Sequence, residues 1–238
     1  MQPVFIDRAD AGRALAKRLG AYAKRDDVVV LALPRGGVPV AYEVARALAA
    51  TLDILVVRKL GVPWQPELAM GALASGGALY VDAALVRELA LSQHDFDSVL
   101  AQERIELARR ERLYRIAPAM AAATPAAAVK ATASTADLTG RIAIVVDDGL
   151  ATGASLKAAV RALRSRTPAK IIAALPVAPP GAAAKFSGDV DQFVCVLTPP
   201  HFVAVGQFYA DFSETSDDDV RALLARASSD DGRAPPDN

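Results

Sequence analysis

The residues with the clearest chemical potential lie in the stretch RIAIVVDDGLATGAS, Arg141 to Ser155. A short apolar run is followed by two adjacent carboxylates, Asp147 and Asp148, and then by a loop of small residues. Continuous apolar runs of this length are typical of strands covered on both faces of a parallel sheet. Because ligands of such sheets bind beyond the carboxyl ends of the strands, the two acids are predicted to lie at a ligand site.

The loop after the acids has the composition of an anion site. Small side chains let backbone N–H groups approach a ligand, and the helix predicted from about Gly153 to Arg164 adds the positive end of its dipole. We therefore predict a phosphate site, with backbone or hydroxyl donors from Gly149, Ala151, Thr152, Gly153, Ala154 and Ser155.

Two carboxylates beside this loop would repel a second phosphate, but they suit paired hydroxyl donors or a hydrated Mg²⁺ ion. A ribose 5-phosphate satisfies both halves, with its vicinal hydroxyls on Asp147 and Asp148 and its phosphate in the loop. The alternative is an ordinary Asp-Gly turn before an ordinary helix start. These residues alone leave both interpretations open.

A second candidate loop is LPRGGVPVA, Leu33 to Ala41, which follows another apolar run. Gly36 and Gly37 permit close backbone approach, and the guanidinium of Arg35 can bind phosphate oxygens in a fork. A Pro/Gly turn carrying a surface arginine is the alternative.

The elements that would position these loops alternate between apolar strands and helical patterns, which indicates a parallel α/β sheet. A hairpin within Leu68 to Val81, turning at Ser75 to Gly77, is predicted as an addition to the sheet. Predicted strands are Val28–Leu33, Leu52–Val57, Ile142–Val146, Ile171–Pro176 and Phe193–Leu197, and predicted helices cover residues 8–24, 38–50, 82–115, 153–164 and 217–227.

Composition limits the domain organisation and the function classes. We predict one domain over residues 1–227, with a mobile Ala/Thr/Pro-rich excursion at 117–137 and a disordered tail at 228–238. The 238 residues include 27 basic and 27 acidic side chains, which argues against a DNA partner. Cys195 is the single cysteine, so disulfides and thiolate metal sites within one chain are excluded. Without a long uncharged apolar run, a membrane partner is not expected, and the predicted location is the cytoplasm.

The stretch VVDDGLATGAS resembles the motif that binds phosphoribosyl pyrophosphate (PRPP) in type I phosphoribosyltransferases, and LPRGGVPVA resembles their pyrophosphate loop. This resemblance implies an α/β fold with a mostly parallel central sheet flanked by helices, a small hood and an added hairpin. It implies that Asp147 and Asp148 hold the ribose hydroxyls and that Ala151 to Ser155 hold the 5-phosphate. Pyrophosphate would be bound by Arg35, Gly36, Gly37 and Lys59.

The resemblance further implies transfer of ribose 5-phosphate from PRPP to a nitrogen nucleophile such as a nucleobase, with release of pyrophosphate. Asp147, Asp148 and Arg35 would be the catalytic residues, and the two acids would hold Mg²⁺ through water. It also predicts a cis peptide between Pro34 and Arg35. The alternative function is a non-catalytic sensor or regulator that binds PRPP or a nucleotide, and a homodimer is compatible with either function.

Two assignments stay open from the sequence. Arg58 and Lys59 follow the predicted strand Leu52–Val57, where they would either face pyrophosphate or simply end a strand. The segment Pro199 to Phe212 faintly resembles one that brackets a purine in hypoxanthine-guanine members of the family. Aromatic residues that would either stack on a base or belong to the core are Trp64, Phe202, Phe208 and Tyr209.

Overall fold

The computed structural model describes residues 4–121 and 138–230. Its centre is a five-stranded sheet of β1 (Val28–Ala32), β2 (Thr51–Ile54), β6 (Ile142–Val146), β7 (Lys170–Val177) and β8 (Gln192–Leu197). The strand order is β2-β1-β6-β7-β8, with every neighbouring pair parallel. The chain therefore crosses over one face of the sheet or the other between successive strands, as the predicted alternation requires.

Helices cover both faces of this sheet, which explains why its central strands are apolar throughout. The helices are α1 (Arg8–Arg18), α2 (Gly37–Leu48), α3 (Ala83–Glu88), α4 (Gln93–Ala121), α5 (Ala154–Arg164), α6 (Ala182–Phe186) and α7 (Asp217–Asp230). Val30 and Ile144 face a core shared with helices α1, α2, α4 and α7, whereas Val29 and Val145 face the core that contains α5 and α6. Alternate residues of one strand therefore pack into two different cores.

A separate antiparallel sheet consists of β3 (Val57–Val62), β4 (Gln65–Ala74) and β5 (Ala78–Val81). The predicted hairpin and its turn are present as β4 and β5, and β3 extends the pair to three strands. β3 was not predicted because Leu55 and Val56, which separate it from β2, are buried as deeply as strand residues. A burial pattern alone does not show where such a run changes from one sheet to another.

The placement of Arg58 and Lys59 corrects a prediction. Both residues lie inside β3 and not at the carboxyl end of a parallel strand. The Nε of Arg58 donates to Glu103 of α4 at 2.6 Å, so this side chain joins the antiparallel sheet to a helix. Lys59, the next residue, is exposed and points to the opposite face of the strand.

Residues 4–6 and 199–213, together called the cap, correspond to the predicted hood. The N–H of Phe5 donates to the carbonyl of Phe208 at 2.9 Å, and the N–H of Ala210 donates to the carbonyl of Phe5 at 2.8 Å. Phe208 and Tyr209 pack with Val177, the last residue of β7, so the cap lies at the carboxyl edge of the parallel sheet. The predicted fold class is therefore confirmed.

Two predicted boundaries differ from the structure. α4 continues to Ala121, so residues 117–121 of the predicted excursion are helical, and 122–137 lie outside the described residues. α7 continues to Asp230, three residues into the predicted tail, and 231–238 lie outside the described residues. Within residues 4–121 and 138–230, no helix is both long enough and apolar enough to cross a membrane.

A substitution at Gly12 tests the packing of α1 on α2. A Cβ atom at this position would lie 2.6 Å from the carbonyl oxygen of Val40 and 2.8 Å from the Cβ of Glu43. Alanine ordinarily favours a helix over glycine, but here the overlap dominates, and we expect Gly12→Ala to lower the free energy of unfolding by about 1–3 kcal/mol. Urea titrations measure this free energy. Gly20→Ala, whose added Cβ meets nothing within 4 Å, is the control and should change it by less than about 0.5 kcal/mol. Equal stability of wild type and Gly12→Ala would contradict the close packing.

Candidate functional site

The two candidate loops lie side by side because β1 and β6 are adjacent and in register. Ala32 pairs with Val146, and the N–H of Leu33 donates to the carbonyl of Val146 at 2.9 Å. Each strand then leads into a loop at the same edge of the sheet. We refer to residues 33–36 as the β1–α2 loop and to residues 147–153 as the β6–α5 loop.

Gly36 of the first loop and Gly37, the first residue of α2, pack directly against the acids of the second loop. A Cβ atom at Gly36 would collide with the Oδ2 of Asp148, and one at Gly37 would lie 2.9 Å from the Cα of Asp147. Any larger residue would therefore push the two loops apart. The peptide between Pro34 and Arg35 is cis, as predicted.

The β6–α5 loop and the start of α5 line an open pocket of about 150 Å³. Gly153 precedes the first residue of α5 with φ of 80°, a conformation that favours glycine. The first backbone N–H groups of a helix have no partner within it, and they carry the positive end of the dipole. The predicted phosphate-binding residues thus line one pocket, together with Asp147: Gly149, Ala151, Thr152, Gly153, Ala154 and Ser155.

The two acids are held in different ways. The N–H of Asp148 donates to the Oδ1 of Asp147 at 2.9 Å. The Oδ2 of Asp148 accepts from the Nε of Arg8 at 2.9 Å, and the hydroxyl of Tyr209 donates to the carbonyl of Asp148 at 2.5 Å. The cap and α1 therefore both contribute to holding Asp148.

Burial dominates the electrostatics of this pair. It raises the pKa of Asp147 to about 8, the neighbouring charge of Asp148 adds to the rise, and Arg8 opposes it. Burial also raises the pKa of Asp148, against the hydrogen bond and charge of Arg8. Burial, with the nearby Asp148, raises the pKa of the Tyr209 hydroxyl as well, so that hydroxyl remains a hydrogen-bond donor. Two carboxylates with one arginine beside them favour a ligand that brings hydroxyl donors or a cation.

The side chains of Asp147 and Asp148 belong to the class of ligand that Mg²⁺ takes in proteins. Mg²⁺ is commonly held by one or two carboxylates together with water and substrate oxygens. Over the described part of the chain, no group of three or more His, Cys, Asp or Glu side chains is arranged to hold a metal ion by itself. The donor set of Asp147 and Asp148 therefore fits a Mg²⁺ ion that arrives with an oxygen-rich ligand.

Arg8 is the site residue that the sequence reasoning missed. It lies 140 positions from Asp148 in a segment where charged residues are frequent, and nothing in that segment marks its partner. The one available signal was its position at the start of α1, where the helix dipole disfavours a positive charge.

Arg35 and the four aromatic residues singled out in the sequence lie in different environments. Arg35 forms an ion pair with Glu214, immediately after the cap. Phe208 and Tyr209 are only 1% and 5% exposed, so the core interpretation is right for them. Phe202 stacks on Phe208 with the ring centroids 5.6 Å apart, whereas Trp64 is 63% exposed in the turn between β3 and β4.

The raised pKa of Asp147 predicts a pH-dependent cost to stability. Between the ordinary value of 3.8 and about 8, the folded chain holds this proton more tightly than the unfolded chain, so stability decreases as the pH rises through this window. An asparagine at this position would remain neutral and retain an oxygen for the Asp148 N–H. We expect Asp147→Asn to be more stable than wild type by about 0.5–2 kcal/mol near pH 8, with the gain declining toward pH 4.

Thermal melting across that pH range measures this effect. Asp26→Asn, which alters an exposed carboxylate, is the control and should show no comparable gain. A gain for Asp147→Asn that grew toward acid pH would show that the sign is wrong.

Several known proteins resemble this chain over most of its length. A family model described as the phosphoribosyl transferase domain matches residues 6–213. Two curated proteins from strains of Mycobacterium tuberculosis, provisionally named phosphoribosyl transferases, are each 47% identical over 227 residues, covering 95% of this chain and 48% of theirs. The chain thus spans about half the length of these relatives. The crystal structure of TT1426 from Thermus thermophilus is 37% identical, covers 95% of this chain and 99% of that one, and has a TM-score of 0.79. Since the family model covers most of its length, this chain belongs to the phosphoribosyl transferase domain family.

Proposed function

We propose that this chain transfers ribose 5-phosphate from PRPP to a nitrogen nucleophile and releases pyrophosphate. The observation that carries the proposal is the contact of Gly36 and Gly37 with Asp148 and Asp147. Through this contact, the β1–α2 loop with Arg35, the acids Asp147 and Asp148 and the N-terminus of α5 lie together at one edge of the sheet. These groups match the diphosphate, the ribose hydroxyls and the 5-phosphate of one PRPP molecule.

The ribose 5-phosphate half occupies the β6–α5 loop in this proposal. Backbone N–H groups around Gly153 and the hydroxyls of Thr152 and Ser155 bind the phosphate, supported by the dipole of α5. The ribose hydroxyls donate to Asp147 and Asp148. Because the Oδ2 of Asp148 already accepts from Arg8, its Oδ1 is the oxygen assigned to the ribose.

The pyrophosphate half lies against the β1–α2 loop. Arg35 neutralises charge that develops on the leaving oxygens. Its partner Glu214 is 75% exposed, and exposed pairs of this kind contribute only about 0–1 kcal/mol. A bound diphosphate can therefore replace Glu214 at little cost. We retain Lys59 as a further proposed pyrophosphate ligand, although it belongs to the antiparallel sheet.

In the reaction, the bond between C1 of the ribose and the pyrophosphate oxygen breaks, and its electron pair leaves with pyrophosphate. A bond from C1 to the acceptor nitrogen forms, and the proton of that nitrogen passes to water. The transition state has the character of an oxocarbenium ion, so the protein needs no nucleophile of its own. Positioning of the ribose and stabilisation of the leaving group supply the catalysis. When bound by Asp147 and Asp148 through water, Mg²⁺ would add positive charge beside the leaving pyrophosphate.

The acceptor is identified by a screen of purines, pyrimidines and small amines with PRPP and Mg²⁺, in which pyrophosphate release is measured. Acceptor-dependent release supports the transferase. Tight PRPP binding without release for any acceptor would instead favour the sensor, a protein that binds PRPP without transferring it.

The role of Asp148 is tested by Asp148→Asn. Loss of the charged acceptor should weaken PRPP binding by about 1.5–3 kcal/mol, the range for hydrogen bonds to a charged group. Calorimetry measures the affinity, and thermal melting of the same samples verifies the fold. Asp26→Asn provides the control. Unchanged PRPP affinity in a variant with asparagine at both 147 and 148 would refute the assignment.

The role of Arg35 is tested by comparing two ligands. Arg35→Ala should weaken pyrophosphate binding by about 1.5–3 kcal/mol through loss of a charged donor, while ribose 5-phosphate binding changes by less than about 0.5 kcal/mol. Arg46→Ala, which removes an exposed arginine from the α2 helix that follows the loop, is the matched control. Equal losses for both ligands, or no loss for either, would show that Arg35 does not serve the pyrophosphate half.

A further inference from the structure

The guanidinium of Arg8 joins three separate parts of the site. Its Nε donates to the Oδ2 of Asp148 at 2.9 Å, and its Nη1 donates to the carbonyl of Ser213 at 2.7 Å. Its Cζ lies over the Phe212 ring, 3.9 Å from the ring centroid. One side chain of α1 therefore connects the β6–α5 loop to the end of the cap.

This arrangement is well shielded from solvent. The side chains of Arg8 and Asp148 are 12% and 16% exposed, respectively. A Cβ atom at Gly36 would lie 3.3 Å from the Nε of Arg8 and would collide with the Oδ2 of Asp148. The β1–α2 loop therefore covers the ion pair, and this pair contacts both loops of the proposed PRPP site and the cap.

The local sequence does not favour an arginine at this position. Arg8 is the first residue of α1, where the helix dipole disfavours a cation. The N-terminus of α1 is nevertheless capped, because the side chain of Asp7 accepts a hydrogen bond from the N–H of Asp10 at 2.7 Å. The unfavourable position of Arg8 in its helix is therefore explained by its tertiary contacts.

These contacts also require arginine in particular. A planar fork can donate in two fixed directions while stacking on an aromatic ring. A lysine retains the charge but cannot donate to Asp148 and Ser213 in that geometry while its head group covers Phe212. The directional contacts of Arg8 therefore matter more to its role than its charge does.

We propose that Arg8 is a positioning residue that holds the Oδ2 of Asp148, so that the Oδ1 is presented to the ribose of PRPP. It also ties Phe212 and Ser213 of the cap to this orientation. The inference rests on the proposed function, because it assigns Asp148 to the ribose.

The test uses ribose 5-phosphate and pyrophosphate as separate probes, each titrated without Mg²⁺ by calorimetry. Arg8→Ala should weaken ribose 5-phosphate binding about tenfold or more, as expected for an oriented charged acceptor, and pyrophosphate binding by less than about twofold. Arg8→Lys should keep a melting temperature close to that of wild type but still bind ribose 5-phosphate at least about fivefold more weakly. Arg13→Ala, which removes an exposed arginine of the same helix, should bind both probes as wild type does.

A double-mutant comparison shows whether Arg8 acts through Asp148. When Asp148→Asn is already present, adding Arg8→Ala should change ribose 5-phosphate affinity by less than about twofold. A full additional tenfold loss would overturn the proposal, as would wild-type affinity in Arg8→Lys. If the wild-type protein itself bound no ribose 5-phosphate, the proposed function would be wrong and the role of Arg8 would fail with it. Binding by wild type with an equal affinity in Arg8→Ala would overturn the role of Arg8 alone.

Discussion

The parallel pairing of β1 with β6 is the constraint from which the site follows. With Ala32 opposite Val146, the loops that leave the two strands have to begin at the same height on the same edge of the sheet. The strands can pair in this way because helices bury both of their faces, and their side chains are apolar throughout. The β1–α2 loop and the β6–α5 loop are thus brought together by strand pairing within the hydrophobic core.

The close approach of the two loops has an electrostatic cost. Gly36 and Gly37 leave no room between the backbone and the acids, so the carboxylates lose water on that side. Desolvation then raises the pKa of Asp147 and Asp148, and Arg8 compensates only in part. Such a pair weakens the folded state at neutral pH but is well suited to a ligand with hydroxyl donors. This opposition between stability and binding is expected where a site is organised before its ligand arrives.

The cap links distant parts of the chain around this centre. Phe5 pairs with the backbone near Phe208, Tyr209 donates to the carbonyl of Asp148, and Ser213 accepts from Arg8. Residues near both ends of the described chain therefore control the surroundings of one carboxylate. A substitution in the cap can consequently alter the surroundings of Asp148 without any substitution in the β6–α5 loop.

By itself, the sequence determined the features that depend on local patterns. Apolar runs located the parallel strands, and the Gly-rich and acidic motifs located both loops. Their order also located the pocket around Gly153, where we propose that phosphate binds. The resemblance of those motifs to a known family predicted the cis peptide before Arg35. Tertiary structure alone decided the break between β2 and β3, the position of Lys59 within β3 and the pairing of Arg8 with Asp148. The break between β2 and β3 and the position of Lys59 could not be predicted, because the antiparallel sheet buries Leu55 and Val56. The sequence from Leu52 to Val57 therefore has the pattern of one continuous strand. The pairing was hidden because a contact across 140 residues leaves no periodicity in either segment, and packing of α1 against the sheet is what brings the two side chains together.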